Sequence, residues 1–144
     1  MKPIYFAAPL FSDAEREYNI RVVAEIEQFY PVFLPQRDGR LISDLLRRGI
    51  SIRSAFDQIC QADLQAIKDC AIVVGVLDGS EINDGVAFEL GYAFAMGRRC
   101  VALQTDFRRS IFGRNNPMLE HCLIAAVSNS AALVEVLKRE LSST

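Results

Sequence analysis

The sequence feature that most constrains the fold is an apolar strand–helix–strand pattern between Ala71 and Gln104. The run Ala71–Leu77 is short, rich in β-branched residues and followed by a polar loop, which is typical of a strand buried on both faces. Apolar residues at helical spacing follow over Gly85–Met96, and Cys100–Leu103 is a second apolar run. Because parallel strands are joined through a covering helix, this unit predicts a layered α/β domain.

The same alternation of short apolar runs and helical periodicity extends along the rest of the chain. Further strands are predicted at Lys2–Ala7, Tyr30–Leu34 and Leu123–Val127. Helices are predicted at Ala14–Phe29, Leu41–Leu46, Ile52–Lys68 and Ala131–Leu141, and polar loops at Gln36–Gly39 and Thr105–Pro117. We therefore expect residues 1–144 to form a single three-layer α/β domain, flavodoxin-like or Rossmann-like, with about five parallel strands between two helix layers.

The composition limits which partners the protein can bind and in which cellular compartment we expect it. A net charge of −2 and a pI near 5.4 argue against binding to a nucleic-acid polymer or to an anionic membrane. No apolar run approaches the roughly 20 residues needed to span a bilayer. The start, Met1-Lys2-Pro3, resembles no signal peptide, so we expect a cytoplasmic protein. Four widely spaced cysteines and one histidine predict buried free thiols and no metal site.

Glu89 is the residue that fits its surroundings least. It lies between Phe88 and Leu90 in an otherwise apolar helix, and a carboxylate is rarely buried without a partner. One explanation is a general base or a covalent nucleophile facing a pocket. The other is a structural ion pair with an arginine. Tyr5, in the middle of the first strand, is either a hydrogen-bond donor to such a carboxylate or simply part of the core.

Other polar residues have an ordinary structural explanation beside a functional one. Asp63 lies near the polar end of the long helix, where a solvated position is the default interpretation. Asn83-Asp84-Gly85 enters the Glu89 helix, and a helix N-terminus can bind an anion. However, the loop lacks GxGxxG and a Walker lysine, so a cap formed by Asn83 or Asp84 explains it equally well. Asn116-Pro117-Met118 is a plain loop by default.

Five segments, taken in order, resemble the nucleoside 2-deoxyribosyltransferase family over nearly the whole chain. They are IYFAAPLF, FLPQRDG, ADLQAIKDCAIVVGVLDG, DGVAFELGYAFAMGRR and Asn116-Pro117-Met118. The resemblance implies that Glu89 is the catalytic nucleophile, assisted by Tyr5, and that Asp63 contacts the base and handles its proton. It implies further that Gln36 binds the base. Asn116 and Met118 would complete the site of a neighbouring subunit.

The resemblance also implies a reaction. A 2-deoxyribosyl group would pass between nucleobases through a covalent deoxyribosyl–glutamate ester, with some hydrolysis on the side. The partners would be deoxyribonucleosides and free purine or pyrimidine bases. No cofactor or metal would be needed, and the protein would be a homo-oligomer built from dimers, such as a hexamer.

Two departures from the family pattern concern the sugar end and the chain end. The family usually has an aspartate six positions before its glutamate, to hold the 5′-hydroxyl, and here that position is Asn83. Asp84 and Gly85 follow, so either Asn83 or Asp84 could hold the hydroxyl. Some members end in an aromatic residue whose carboxylate enters the site, whereas this chain ends in Ser143-Thr144.

Two alternatives stay open from the sequence. The first is a hydrolase of 2′-deoxynucleoside 5′-monophosphates. Such enzymes surround the phosphate with serines and arginines, which Ser12, Ser80 and Arg108 could provide, but they have serine where this chain has Asn116. The second is a non-catalytic nucleotide-binding module, which would leave Glu89 without a role.

Overall fold

The computed structural model describes residues 1–106, 108 and 113–142. Its strands and helices are β1 (Ile4–Ala7), α1 (Asp13–Ile26), β2 (Val32–Phe33), α2 (Pro35–Asp38), α3 (Ile42–Arg47), α4 (Ile52–Asp69), β3 (Ile72–Val76), α5 (Asp84–Ala95), β4 (Arg99–Leu103), α6 (Pro117–Cys122), β5 (Leu123–Val127) and α7 (Ser130–Leu141). The strands form one parallel sheet in the order β2-β1-β3-β4-β5. This confirms the predicted α/β fold with five parallel strands.

Helices cover both faces of the sheet and bury two separate cores. Residues of α1 and α7 pack on one face, and residues of α4 and α5 pack on the other. The two-residue period of a strand divides β1 between them. Ile4 and Phe6 enter the α1 core, while Tyr5 and Ala7 enter the α4–α5 core. Tyr5 is therefore placed beneath the helix that carries Glu89.

Two short helices occur where the sequence predicted loops. Pro35 begins the four-residue helix α2, and Pro117 begins the six-residue helix α6, whose N-cap is Asn116. Neither was predicted, because both overlap segments that were interpreted as polar loops, whereas α3, which has as many residues as α6, was predicted at Leu41–Leu46. The signal was local: proline suits the first helical position and asparagine suits the N-cap. Positions 107 and 109–112 of the predicted loop Thr105–Pro117 lie outside the described residues.

The prediction that all four thiols are buried is wrong for one of them. Cys70, Cys100 and Cys122 are buried, but Cys60 is exposed. It lies one turn beyond Phe56, which is also exposed, on the side of α4 that faces away from the sheet. The apolar residues of α4 are thus divided between a buried face and an outer face.

Helix α5 also keeps apolar side chains at the surface. Val86, Leu90 and Ala93 are buried, whereas Phe88 is 62% exposed and Phe94 is also exposed. A helix that is apolar all round is usually covered on all sides, so the outer face of α5 has the composition of a contact surface. Within the described ranges, no helix is long and apolar enough to cross a membrane.

Candidate active site

A short hydrogen bond joins β1 to α5. The phenol of Tyr5 donates to Oε1 of Glu89 over 2.6 Å. The strand period turns Tyr5 toward α5, and Glu89 lies beside the buried residues Val86 and Leu90 of that helix. Among the described contacts of Glu89 there is no arginine, so the structural ion pair considered from the sequence is absent.

The surroundings of Tyr5 and Glu89 favour the protonated form of each side chain. Burial, opposed by the Tyr5 hydrogen bond and reinforced by the charge of Asp63, raises the pKa of Glu89 to about 7. Burial also raises the pKa of the Tyr5 phenol, as do the charges of both carboxylates. Tyr5 therefore keeps its proton and acts as a donor. Near neutral pH, Glu89 exists in both protonation states, as a catalytic base or nucleophile requires.

Asp63 belongs to the same cluster rather than to a solvated helix face. It is partly buried on α4, and this burial raises the pKa of Asp63 to about 6. Its charge also contributes to the raised pKa values of Tyr5 and Glu89. Two carboxyl groups that interact in this way share protons, so one can remain protonated while the other ionises.

Phe33 is a part of this cluster that the sequence did not single out. Its ring stacks on that of Tyr5 with 5.6 Å between centroids and 14° between planes. Both residues lie on the same face of the sheet because Tyr5 pairs with Phe33 across β1 and β2. The stack fixes the plane of the phenol and hence the direction of its hydrogen bond. The sequence predicted both strands, but it did not give the register that pairs Tyr5 with Phe33.

The side chain of Gln36 hydrogen-bonds to helix α1, which covers the sheet face opposite to α5. Its Nε2 donates to the carbonyl of Arg16 over 3.1 Å, and its Oε1 accepts from Nδ2 of Asn19 over 2.9 Å. Asn19 is buried and also donates to the carbonyl of Pro9. No described contact joins Gln36 to Tyr5 or Glu89, and the second N–H of its amide has no partner among the described contacts.

The loop before α5 contains the residues predicted at the sugar end. Oδ1 of Asn83 accepts from the backbone N–H of Val86 over 3.2 Å and so caps the helix. Oδ1 of Asp84 accepts from the N–H of Gly85 over 2.7 Å, and both of these residues are exposed. The cap fixes the orientation of the Asn83 amide, and its Nδ2 has no partner among the described contacts. This group can therefore donate to a bound hydroxyl.

Asn116 and Met118 lie on the opposite flank of α5 from Glu89. A cavity of about 350 Å³ is lined by both Asn116 and Ala87 of α5. Ala87 and Glu89 are two positions apart, which places them about 200° apart around the helix axis. Met118 is 82% exposed. The structure thus does not bring Asn116 and Glu89 of one chain together.

The cap of α6 fixes the chemistry that Asn116 presents. Its Oδ1 accepts from the backbone N–H of Met118 over 2.9 Å. The amide oxygen is therefore occupied, and Nδ2 is left as a donor without a partner among the described contacts. Since Asn116 is exposed, this donor is available to a molecule outside the chain.

The serine and arginine residues of the hydrolase alternative are divided between two places. Ser80 and Arg108 line the same 350 Å³ cavity as Asn116. Ser12 instead caps α1 through a capping box with Glu15. The Arg108 guanidinium forms an ion pair with Asp106. A separate cavity of about 610 Å³ on the α1 side is bordered by acidic side chains as well as by Arg108.

Known proteins share the sequence pattern and the fold of this chain. The profile of the nucleoside 2-deoxyribosyltransferase family matches residues 4–136. A conserved protein from Enterococcus faecalis V583 is 30% identical, with 96% of this chain and 98% of that chain covered and a TM-score of 0.75. No curated protein sequence matches the chain.

Two further solved structures share the fold at lower identity. The 2-deoxyribosyltransferase of Bacillus psychrosaccharolyticus is 20% identical, with 92% and 90% of the two chains covered and a TM-score of 0.70. The CMP N-glycosidase BcmB of Clostridium botulinum is 19% identical, with 95% and 98% covered and a TM-score of 0.53. Since the family profile spans most of the sequence, the chain belongs to the nucleoside 2-deoxyribosyltransferase family.

Proposed function

We propose that this protein transfers the 2-deoxyribosyl group of a deoxyribonucleoside from one nucleobase to another, with hydrolysis as a side reaction. The observation that carries the proposal is the 2.6 Å hydrogen bond from Tyr5 to the partly buried carboxyl group of Glu89. Family membership supports the reaction class. Residues 1–144 would act as one catalytic domain in the cytoplasm, where free thiols such as Cys60 stay reduced.

In the first step, the ionised carboxylate of Glu89 attacks the anomeric carbon C1′. The C1′–O bond forms as the bond from C1′ to the base nitrogen breaks, and the base leaves with that electron pair. Asp63, whose raised pKa lets it carry a proton near pH 6, gives that proton to the departing base. The products are a deoxyribosyl ester of Glu89 and a neutral free base.

In the second step, a different base attacks C1′ of the ester and releases the Glu89 carboxylate. Two displacements at the same carbon give overall retention of configuration. The incoming base loses its proton to Asp63, which restores the starting state. Tyr5 holds the carboxylate by its hydrogen bond throughout. Water in place of the second base gives the hydrolytic side reaction.

The sugar end would be held by hydrogen-bonding groups from two subunits. Nδ2 of Asn83 and the carboxylate of Asp84 are available beside α5, and Asn116 of the partner subunit would supply a further donor. The position of Asn116 across α5 from the Glu89 of its own chain supports this assignment. Exposed Phe88 and Phe94 support an apolar contact between copies. We infer a dimer-based homo-oligomer, such as a hexamer, with Met118 lining the partner's site.

A hydrolase of 2′-deoxynucleoside 5′-monophosphates is the second candidate. The shared position of Ser80 and Arg108 in one cavity favours it. Two observations favour the free nucleoside: Arg108 already forms an ion pair with Asp106, and Glu81 lines the same cavity. A phosphate dianion would meet these carboxylates at close range, which is unfavourable.

Substrate exchange tests the proposal directly. The protein is incubated with 2′-deoxyadenosine and free hypoxanthine, and separately with 2′-deoxyadenosine 5′-monophosphate. Formation of 2′-deoxyinosine together with adenine supports the transferase. Cleavage of the monophosphate alone supports the hydrolase and overturns the first choice.

The Glu89→Ala variant separates both enzymes from a non-catalytic binding module. An enzyme of either kind loses turnover in this variant while its fold, followed by circular dichroism, is unchanged. A binding module shows no turnover in the wild type either, and it keeps its affinity for the nucleoside in the variant.

A further inference from the structure

Gln104 lies at the carboxyl end of β4, and its buried side-chain amide hydrogen-bonds to residues outside that strand. It is 6% exposed. Its Nε2 donates to the carbonyl of Leu77, which follows β3, and to Oδ1 of Asn115, each over 3.1 Å. Its Oε1 accepts from Nδ2 of Asn115 over 2.8 Å. Both amide hydrogens and the amide oxygen are therefore used.

Asn115 is held on its backbone side as well. Its N–H donates to Oε1 of Glu120 over 3.0 Å, so α6 and the residue before Asn116 are tied together. The paired amides of Gln104 and Asn115 then join this segment to the sheet. Breaking a buried pair of this kind leaves unsatisfied donors and acceptors, so the pair resists displacement.

The next residue along the chain is Asn116, which is exposed and whose Nδ2 has no partner among the described contacts. An exposed donor can serve a partner's site only if its position is fixed in advance, because ordering it on binding would reduce affinity. The described side-chain hydrogen bonds between Asn115 and the sheet are those with Gln104, while Leu119 and Cys122 of α6 pack against the core.

We infer that Gln104 is a positioning residue for the active site of the partner subunit, acting through Asn115 on Asn116. This inference rests on the proposed transferase function and on the shared site. It predicts that Gln104 affects binding of the deoxyribose 5′-hydroxyl in the neighbouring subunit, and not the chemistry at the Glu89 of its own chain.

The first experiment separates binding from chemistry. Gln104→Leu removes the amide but keeps the side-chain length, and Gln28→Leu makes the same change at an exposed position as a matched control. For 2′-deoxyadenosine, KM rises about tenfold in Gln104→Leu while kcat changes less than about threefold, because a binding hydrogen bond is lost from ground and transition states alike. The control retains both constants.

Asn115→Ala provides a second route if Gln104→Leu folds poorly. It removes the same amide pair from the loop side and leaves the buried residue intact. We expect the same rise in KM, and no further rise in the double variant, since both changes break one interaction. Additive effects of the two changes on KM would contradict a shared path.

Subunit mixing shows in which site Gln104 acts. Gln104→Leu subunits are refolded with an excess of Glu89→Ala subunits, which lack the nucleophile but present a native Asn116. The active sites in this mixture are those of the Gln104→Leu subunits, which keep Glu89. If Gln104 acts on the partner's site, the KM of these sites returns to the wild-type value. Asn116→Ala subunits mixed in the same way serve as the reference.

Each remaining outcome has one meaning. If the wild type shows no transfer, the proposed function fails. If it does, and Gln104→Leu keeps a raised KM in the mixture while Asn116→Ala recovers, Gln104 acts within its own chain and the inference is overturned. Failure of the Asn116→Ala mixture to recover overturns the shared site and the inference with it.

Discussion

The two flanks of α5 differ in how complete they are within one chain. On one flank, Glu89 is partly buried, bonded to Tyr5 and electrostatically coupled to Asp63. On the other flank, Asn116 and Met118 are exposed and have their backbone fixed by α6. The chemical groups are thus pre-assembled inside the fold, whereas the groups proposed to hold the sugar are presented at its surface.

This difference predicts which properties of the protein a substitution on each flank should change. Substitutions on the Glu89 flank alter a coupled, buried set of ionisable groups, so they should change rate, pH dependence and stability together. Substitutions on the Asn116 flank alter exposed groups that are proposed to serve a neighbouring subunit. They should change substrate binding and leave the stability of the fold nearly intact.

The largest effect is expected from Glu89→Gln, which removes the nucleophile but keeps the shape. Transfer should fall by about 10³-fold or more, since no covalent ester can form. The pKa of Glu89 in the folded protein, about 7, lies above its ordinary value of 4.5. The folded state therefore retains a proton that the unfolded chain has lost, and the stability this proton provides disappears as the pH rises through 7.

The same variant should consequently be more stable than the wild type at alkaline pH. Glutamine stays neutral, so Tm at pH 8 should exceed that of the wild type by a few degrees. At pH 4, where the glutamate is protonated in both states, the difference should vanish. Thermal melts at both pH values test this, and equal Tm values at pH 8 would contradict the burial of a charge at this position.

Asp63→Asn should have the next largest effect. Loss of a positioned acid costs about 10²-fold in kcat/KM. The proposed mechanism requires Glu89 to be ionised and Asp63 to be protonated, and their pKa values are about 7 and 6. A plot of kcat/KM should therefore peak in this pH region and decline on both sides. The variant should lose the decline on the alkaline side. A variant profile still bell-shaped would assign the proton to another group.

Tyr5→Phe should reduce kcat by about tenfold at pH 7, the loss expected for one hydrogen bond to a charged group. The Tyr5 hydrogen bond lowers the pKa of Glu89, so its removal should raise that pKa further. The acidic limb of the pH–rate profile should move to higher pH. A profile that stays in place while kcat falls would reduce the role of Tyr5 to packing.

Met118→Ser should have the smallest effect and should be confined to binding. The side chain is exposed in one chain, so its removal should leave the chain's stability unchanged. Loss of an apolar contact with bound nucleoside should raise KM about threefold. Titration calorimetry with 2′-deoxyadenosine measures this. A large fall in Tm instead would indicate that Met118 holds an interface and not a substrate.

Much of the architecture followed from periodicity. The strand–helix–strand unit from Ala71 to Gln104 and the long helix α4 were predicted within one or two residues of their ends. The short helices α2 and α6 were not, because both overlap segments interpreted as polar loops, although the six-residue helix α3 was predicted. The outer apolar face of α5 was also not predicted, since periodicity does not distinguish a face that covers the core from one that meets another molecule.

The candidate active site was also predicted only in part. The contact from Tyr5 to Glu89 was one of two interpretations of the sequence, and the strand period decides in its favour. The partial burial of Asp63 was not the default interpretation, because it depends on how α4 packs beside α5. The amide pair of Gln104 and Asn115 joins residues on either side of a loop, and no local pattern indicates such a contact.

The N-cap at position 116 has a consequence for how specificity can diverge. Serine and asparagine cap helices about equally well. An Asn116→Ser substitution would thus preserve the cap of α6 while replacing an amide donor with a hydroxyl. The group proposed to reach the partner's site can therefore change without loss of the helix that positions it.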